Sequence, residues 1–478
     1  MPGRTTVSVD AIVVGAGPNG LSAAVALARA GHSVRVYEAA PAVGGGSSSA
    51  ALTEPGFIHD VCAAVHALVL ASPFLKALPL AQHGLEYVHP GVPFAHPLDD
   101  GRAAVGRRGV AETADGFGPR DARAYRELLE PFVDRADDLM DALLGPLGLR
   151  HPFLMARFGL HAIRSADSLA NGYFESAPAR AYMAGLAAHS MVPLDRAATA
   201  GYALGLVVGA HAVGWPVVRG GSQGFANAMA SYLRSLGGEI VTDHRVESLD
   251  ALPAARAVLM DVTPRQLIRI AGARMPSAYR ERLERYRYGP GVFKMDWALS
   301  APVPWRAPEC HDAGTIHLGG TLAEIAHAER EVSEGRISEQ PYVLAVQPSR
   351  FDPSRAPAGK HTLWAYSHVP NGSPVDMRQR IEDQIERFAP GFRDCVIARS
   401  ALFPADMETR NPNLVGGDIA GGAADLGQLF ARPVASLDPY RTAIPNVYIC
   451  SSSTPPGVGV HGMCGYYAAR SALRHSLG

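Results

Sequence analysis

The sequence predicts an α/β protein: a Rossmann-like domain built on a parallel sheet, with a second, α+β domain inserted into it. Three observations predict this. A β-α-β unit with a Gly-x-Gly-x-x-Gly turn opens the chain, a second glycine-rich strand-loop-helix unit closes it, and the stretch between passes from mainly helical to alternating character. With 478 residues, the chain is long enough to form two or more domains.

The elements follow in order. Val7 to Val14 is a short apolar run ending at Gly15-Ala16-Gly17-Pro18-Asn19-Gly20. Leu21, Ala24, Val25 and Ala28 then recur at helical spacing until Gly31, and Ser33 to Tyr37 forms a second strand that ends at Glu38. A right-handed crossover makes these two strands parallel neighbours. From Ala71 to Gly214 the pattern is mostly helical, as in Tyr125, Leu128, Leu129, Phe132, Leu139, Met140 and Leu143, broken only by Pro131. Gly220-Gly221 opens a further helix with Phe225, Met229, Leu233 and Leu236 on one face, and Gly237-Gly238 closes it. Strands are expected around Glu239 to Val241 and Ala257 to Val262, and period-two strands at Val292 to Leu299 and Thr362 to Val369. Asn446 to Cys450 is the last strand, feeding the loop Pro456 to Gly462 and a helix running through Leu473. The expected division is a discontinuous cofactor domain (1–70, 215–270 and 430–478) and a substrate domain (71–214 and 271–429).

Composition excludes several classes. Lys+Arg 44 against Asp+Glu 45, with no basic block, argues against nucleic acid as a partner. Only Lys76, Lys294 and Lys360 are lysine, so a buried lysine would be conspicuous. Five cysteines are scattered without a C-x-x-C pair, so neither a zinc site nor a disulfide framework is expected, and no metal ligands are assigned. Met1 to Asp10 lacks the charged and apolar regions of a secretory signal, which gives a cytoplasmic expectation. Ala197 to Val218 runs 22 residues without a charge, long enough to span a bilayer, but it is rich in Ala and Gly, carries His211 and ends in Trp215-Pro216. A buried helix and loop lining an apolar cavity is the expected reading.

In the opening turn, Gly15 allows the tight strand-to-helix bend, Gly17 lets the backbone approach a pyrophosphate, and Gly20 permits close helix-strand packing. The helix start at Pro18 and Asn19 favours the diphosphate anion. Glu38, at the end of the second strand, can accept hydrogen bonds from ribose hydroxyls and would repel a 2′-phosphate. Two features select FAD over NAD. Gly44-Gly45-Gly46 is another site of close backbone approach, and the C-terminal helix start can stabilise the charge that develops at flavin N1 and O2 on reduction.

Val13 to Ala24, Tyr37 to Gly46 and Ser453 to Arg470 together resemble one family: the FAD-dependent phytoene desaturases, carotenoid isomerases and retinol saturases, related to the amine oxidases. Val218 to Gly224 and Thr263-Pro264-Arg265 fit the same family. The resemblance covers both ends and the centre of the chain and is weak for the substrate domain. It implies a noncovalent FAD, with Gly15, Gly17 and Gly20 at the pyrophosphate, Glu38 at the ribose, and Gly44 and Gly45 beside the cofactor. It also implies Val246 meeting the adenine through its backbone, and Gly459, Val460 and Met463 by the isoalloxazine. Gly46 departs from the amine oxidase branch, where many members carry Arg after the Gly-Gly pair, and favours the polyene branch.

Two catalytic candidates remain. Lys294 shares a strand face with Val292, Asp296 and Ala298; it either marks a solvated face, paired with Asp296 for under ~1 kcal/mol, or resembles the amine oxidase lysine that holds a water near flavin N5. His461 either tunes the flavin or touches substrate, or else caps the last helix. His66 and His211 are expected to be core histidines, and Cys450 and Cys464 packing residues. Apolar stretches around Val61 to Leu75 and Ala197 to Val218 suggest a small lipophilic substrate of polyene, isoprenoid or polyketide type, compatible with peripheral membrane contact. The direction of reaction and the electron acceptor (oxygen, quinone or NAD(P)) stay open. The alternatives are an amine or amino-acid oxidase, and a non-enzymatic lipid-binding protein resembling the GDP-dissociation inhibitors.

Overall fold

The computed structural model describes residues 9–146 and 150–478, so Met1 to Ser8, including the start of the expected first strand, lie outside the described residues. Two sheets organise the rest. The first has five strands in the order Val447–Ile449, Ala257–Met260, Ala11–Val14, Val34–Tyr37 and Glu239–Val241, all parallel. Ala11–Val14 is buried along its whole length, as a strand covered on both faces must be. The helix Pro18–Arg29 packs on this sheet, and the final helix Met463–Ala472 packs on that helix.

The second sheet has seven strands in the order Val396–Leu402, Gly291–Leu299, His361–Val369, Val343–Val346, Ala313–Leu318, Val92–Pro97 and Ala103–Gly106. All neighbours are antiparallel except Ala313–Leu318 and Val92–Pro97. One face buries Phe293, Met295, Trp297 and Leu299 against Ile381, Ile385 and Phe388 of the helix Arg378–Phe388. The opposite face carries Val292, Leu344, Val346, Trp364 and Tyr366 into a separate core.

The two strands Val92–Pro97 and Ala103–Gly106 fall in the stretch read as mostly helical. All six residues of Val92–Pro97 are buried, so no alternation of polar and apolar residues marks it, and two prolines obscure it further. In the uncharged stretch, the helix Thr199–Val213 is 15 residues long and packs among Ala67–Ala71, Pro119–Val133, Pro152–Ala162 and Ala177–Ala187. It is apolar all round because helices surround it. No helix among the described residues is long and apolar enough to cross a membrane.

Candidate active site

The glycine turn joins the first strand to the first long helix. Gly15 sits at φ +101°, in the left-handed region that favours glycine, and its N–H donates to Tyr37 O at 2.8 Å. A Cβ on Gly20 would lie 2.0 Å from Gly15 O, so the third glycine is fixed by packing. Gly17 caps the helix, whose first residue is Pro18. Glu38 closes the turn from the next strand: its Oε2 accepts the Ala16 N–H at 2.7 Å and its Oε1 the Ala40 N–H at 2.8 Å. Each oxygen keeps a further lone pair for a ligand hydroxyl.

Above this turn opens a cavity of about 770 Å³. Of the residues assigned from sequence, Gly15, Gly17, Pro18, Asn19, Glu38, Gly45, Gly46, Val246, Gly459 and Val460 line it. Gly20 and Gly44 stand behind the wall; Gly44, at φ +135°, donates its N–H to Ala16 O at 2.9 Å and so supports the turn. Met463 does not reach the cavity: it faces a separate groove beside Phe74 and Tyr466.

His461 is fully buried and both ring nitrogens are committed within the motif. Nδ1 accepts the Met463 N–H at 3.0 Å and Nε2 lies 3.2 Å from Gly457 O, while burial holds the ring neutral with a pKa near 4. It caps the last helix, one of the two roles expected for it, and is not among the residues that line the cavity. His66 and His211 are core residues, bonded to Ser222 Oγ at 2.9 Å and to Tyr125 OH at 2.7 Å.

Lys294 and Asp296 do not mark a solvated face. Both are buried, bonded to each other, and enclosed with His59, Asp60 and Arg355. Burial pushes the Lys294 ammonium down and the Asp296 carboxyl up to about 6, with each partner opposing that shift in the other. The Lys294 Nζ lies 5.8 Å from the Trp364 ring centroid, and Trp364 lines the cavity; the lysine is one side chain behind the wall. Asp60 is held below the usual carboxylate range: burial raises it, but the Arg355 guanidinium at 2.5 Å, the Ser222 amide and the Ser49 hydroxyl more than offset that.

Several lining residues went unread in the sequence. Leu344, Val346, Trp364 and Tyr366 of the second sheet form an apolar end to the cavity, together with Leu206 of the helix Thr199–Val213 and Trp215 just beyond it, both from the uncharged stretch expected to line such a cavity. His189 lines that end, with Nε2 3.0 Å from His317 Nε2. At the other end lies Asp261, immediately after the strand Ala257–Met260; burial raises its carboxyl to about 7, the Gly20 amide works against that, and Glu38 adds to it. Its one visible signal was a carboxylate at the end of a buried apolar strand, directly before Thr263-Pro264.

A glycine turn at a helix start, a carboxylate on the neighbouring strand and an apolar chamber against a second sheet define a two-domain Rossmann-type oxidoreductase. Residues 13–78 match the family model of the NAD(P)-binding Rossmann-like domain. The chain is 29% identical to the mouse (Mus musculus) pyridine nucleotide-disulfide oxidoreductase domain-containing protein 2, over 99% of this chain and 94% of that protein. It is 24% identical to a phytoene dehydrogenase of Streptomyces griseus, over 94% of this chain and 92% of that protein. Its fold matches a putrescine oxidase solved with putrescine bound, with a TM-score of 0.61, 18% identity and 98% of each chain covered. The chain thus resembles a phytoene dehydrogenase and other oxidoreductases along nearly its whole length, and shares the two-domain fold of an amine oxidase.

Proposed function

We propose that this chain binds FAD noncovalently and transfers hydride between the flavin and a lipophilic unsaturated substrate of polyene, isoprenoid or polyketide type. One observation carries the reading: the glycine turn and the apolar chamber open into the same cavity. Bound FAD would supply a hydride acceptor or donor at N5. Gly15, Gly17 and the helix start at Pro18 would hold the diphosphate, Glu38 the ribose hydroxyls and Val246 the adenine edge, while Gly459 and Val460 let backbone pass close to the ring. Leu206, Trp215, Leu344, Val346 and Trp364 exclude water from the reacting end and orient an apolar chain there. Among the described lining residues the only carboxylates are Glu38 and Asp261, both at the dinucleotide end. A substrate ammonium therefore finds no counter-ion in the apolar chamber, which favours the polyene branch over an amine oxidase.

The test is spectroscopic. Purified protein should show oxidised-flavin bands and release intact FAD on denaturation, and an extracted or added polyene should change the flavin spectrum anaerobically. A correctly folded, colourless protein that takes up no FAD would sink the reading.

Peripheral membrane contact belongs to the same proposal. Phe153, Leu160 and Ile163, 88%, 73% and 50% exposed, share one face of the helix Pro152–Ala162 and its end with Arg157 and Arg164, neither of which forms an ion pair among the described residues. An apolar stripe interleaved with arginines that pair with no carboxylate among the described residues suits an anionic lipid surface. That helix packs on Thr199–Val213, whose Leu206 lines the cavity. Vesicles containing anionic lipid should sediment the protein, and Phe153→Asp with Leu160→Asp should abolish this without loss of flavin.

A further inference from the structure

We propose that Asp261 couples dinucleotide binding to a proton: the diphosphate enters the glycine turn together with one H⁺, which resides on the Asp261 carboxyl. The inference rests on the cofactor reading above and concerns the chemistry of the site that receives the diphosphate.

The carboxyl forms the floor of the turn. Asp261 is 7% exposed, its N–H donates to Val14 O at 2.8 Å, and its main-chain carbonyl accepts from Asn413 Nδ2 at 2.9 Å, so the backbone is pinned on both sides. Oδ2 accepts the Gly20 N–H at 2.8 Å and would lie 3.0 Å from a Cβ at Gly17. Oδ1 accepts no hydrogen bond from the described residues, and the side chain lines the cavity. A group nine-tenths buried thus presents an unpartnered oxygen to the chamber where the amides of the turn invite an anion.

Ionised, that oxygen would face a dianionic diphosphate from a side chain only 7% exposed, where like charges repel strongly. No cation among the described residues pairs with it. Glu38 faces the same cavity and adds negative charge. Arg245, Arg269 and Arg410 line the cavity, but none pairs with Asp261. Cys450, just past the neighbouring strand, and Cys464 on the last helix lie near it, and burial keeps both thiols protonated. Protonation resolves the conflict: a neutral carboxyl keeps the bond from Gly20 at one oxygen and can donate from the other to a phosphate oxygen. The step balances as one H⁺ taken from solvent per dinucleotide bound, with no covalent bond made or broken.

The sign follows from linkage. Burial already holds the free site's carboxyl near pH 7, and a bound dianion raises it further. Below that pH the proton is in place and affinity is flat; above it, the dissociation constant rises by about tenfold per pH unit until the bound-state value is passed.

The experiment dilutes the flavin-loaded protein into buffers from pH 6 to 9 and reads released FAD by its fluorescence. ADP-ribose, which carries the diphosphate without a flavin, is titrated in parallel by calorimetry in buffers of different ionisation enthalpy. Expected are a tenfold weakening per unit above about pH 7, uptake of about one proton per ADP-ribose at pH 8, and a flat profile for Asp261→Asn that binds more tightly than the parent protein at pH 9. A parent affinity independent of pH, absence of proton uptake, or an unchanged slope in Asp261→Asn would overturn the proposal. Should Asp261→Asn not fold, proton uptake by the parent protein decides alone. If FAD binds at no pH, the cofactor reading fails while the ADP-ribose series still decides the role of Asp261; binding of neither ligand overturns both.

Discussion

Lys294 and Asp296 are 1% and 0% exposed, and each makes the other's charge tolerable. Removing one partner of such a pair leaves a buried group uncompensated, which typically costs about 3–5 kcal/mol, whereas removing both is far milder. Lys294→Met should therefore lower the urea midpoint sharply, and adding Asp296→Leu should recover much of the loss; equal destabilisation by the single and double variants would show that the pair is not coupled. Glu38 carries a different burden, accepting two backbone amides while facing the cavity. Glu38→Ala should weaken FAD binding by about ten- to a hundredfold, the worth of hydrogen bonds to a charged group, as read from free flavin after ultrafiltration. The residue types of the dinucleotide end were legible because spacing alone constrains them: three glycines, a helix start and a carboxylate at the next strand's end. Asp261 was not, because nothing in sequence says that the end of a strand some 240 residues away closes under the first turn.

At the scale of elements, the first long helix and the last approach each other closely. A Cβ on Gly465 would lie 1.8 Å from Asn19 O, so the final helix can sit on the turn only because it has no side chain there. Gly465→Ala should push the two helices apart at a cost of about 1–3 kcal/mol, as overpacking does. The melting temperature should fall and flavin retention with it; an unchanged variant would mean the contact is looser than it stands here. Strands with a glycine or helix partner beside them in sequence were readable, among them Val34–Tyr37, Glu239–Val241 and Gly291–Leu299. The hairpin Val92–Pro97 and Ala103–Gly106 was not, because a strand buried on both faces loses the alternation that identifies strands. The face assignment of Gly291–Leu299 was correct in parity, yet the polar face meets a second protein layer and not water.

Over the whole molecule, buried charge joins segments remote in sequence. Arg355 bonds Asp60 at 2.5 Å and the carbonyls of Ile58 at 3.1 Å and Val218 at 3.4 Å, none of which is near it in sequence. Stability should also depend on histidines buried as neutral rings. Burial lowers His59 and His189 to about 3, and His66, His96 and His461 to about 4, from an ordinary value of 6.5. The unfolded chain then binds more protons than the folded one between about pH 4 and 6.5, so unfolding free energy rises with pH across that window and is lost as pH falls through it. Urea denaturation should show a midpoint that drops steeply from pH 6.5 to 4.5; a flat profile would mean these rings carry partners that stabilise their charge.

The sequence by itself determined the parallel Rossmann-type unit, because a tight turn, a helix start and a carboxylate at the next strand's end each demand a residue type at a fixed spacing. Only the tertiary structure decided what that unit works against. Whether Lys294 is wet or sealed, whether His461 faces a ligand or a helix end, and which carboxyl lies beneath the diphosphate turn all depend on segments far apart in the chain. Burial and charge are properties of what packs around a side chain, and local pattern cannot specify a neighbour that arrives from elsewhere.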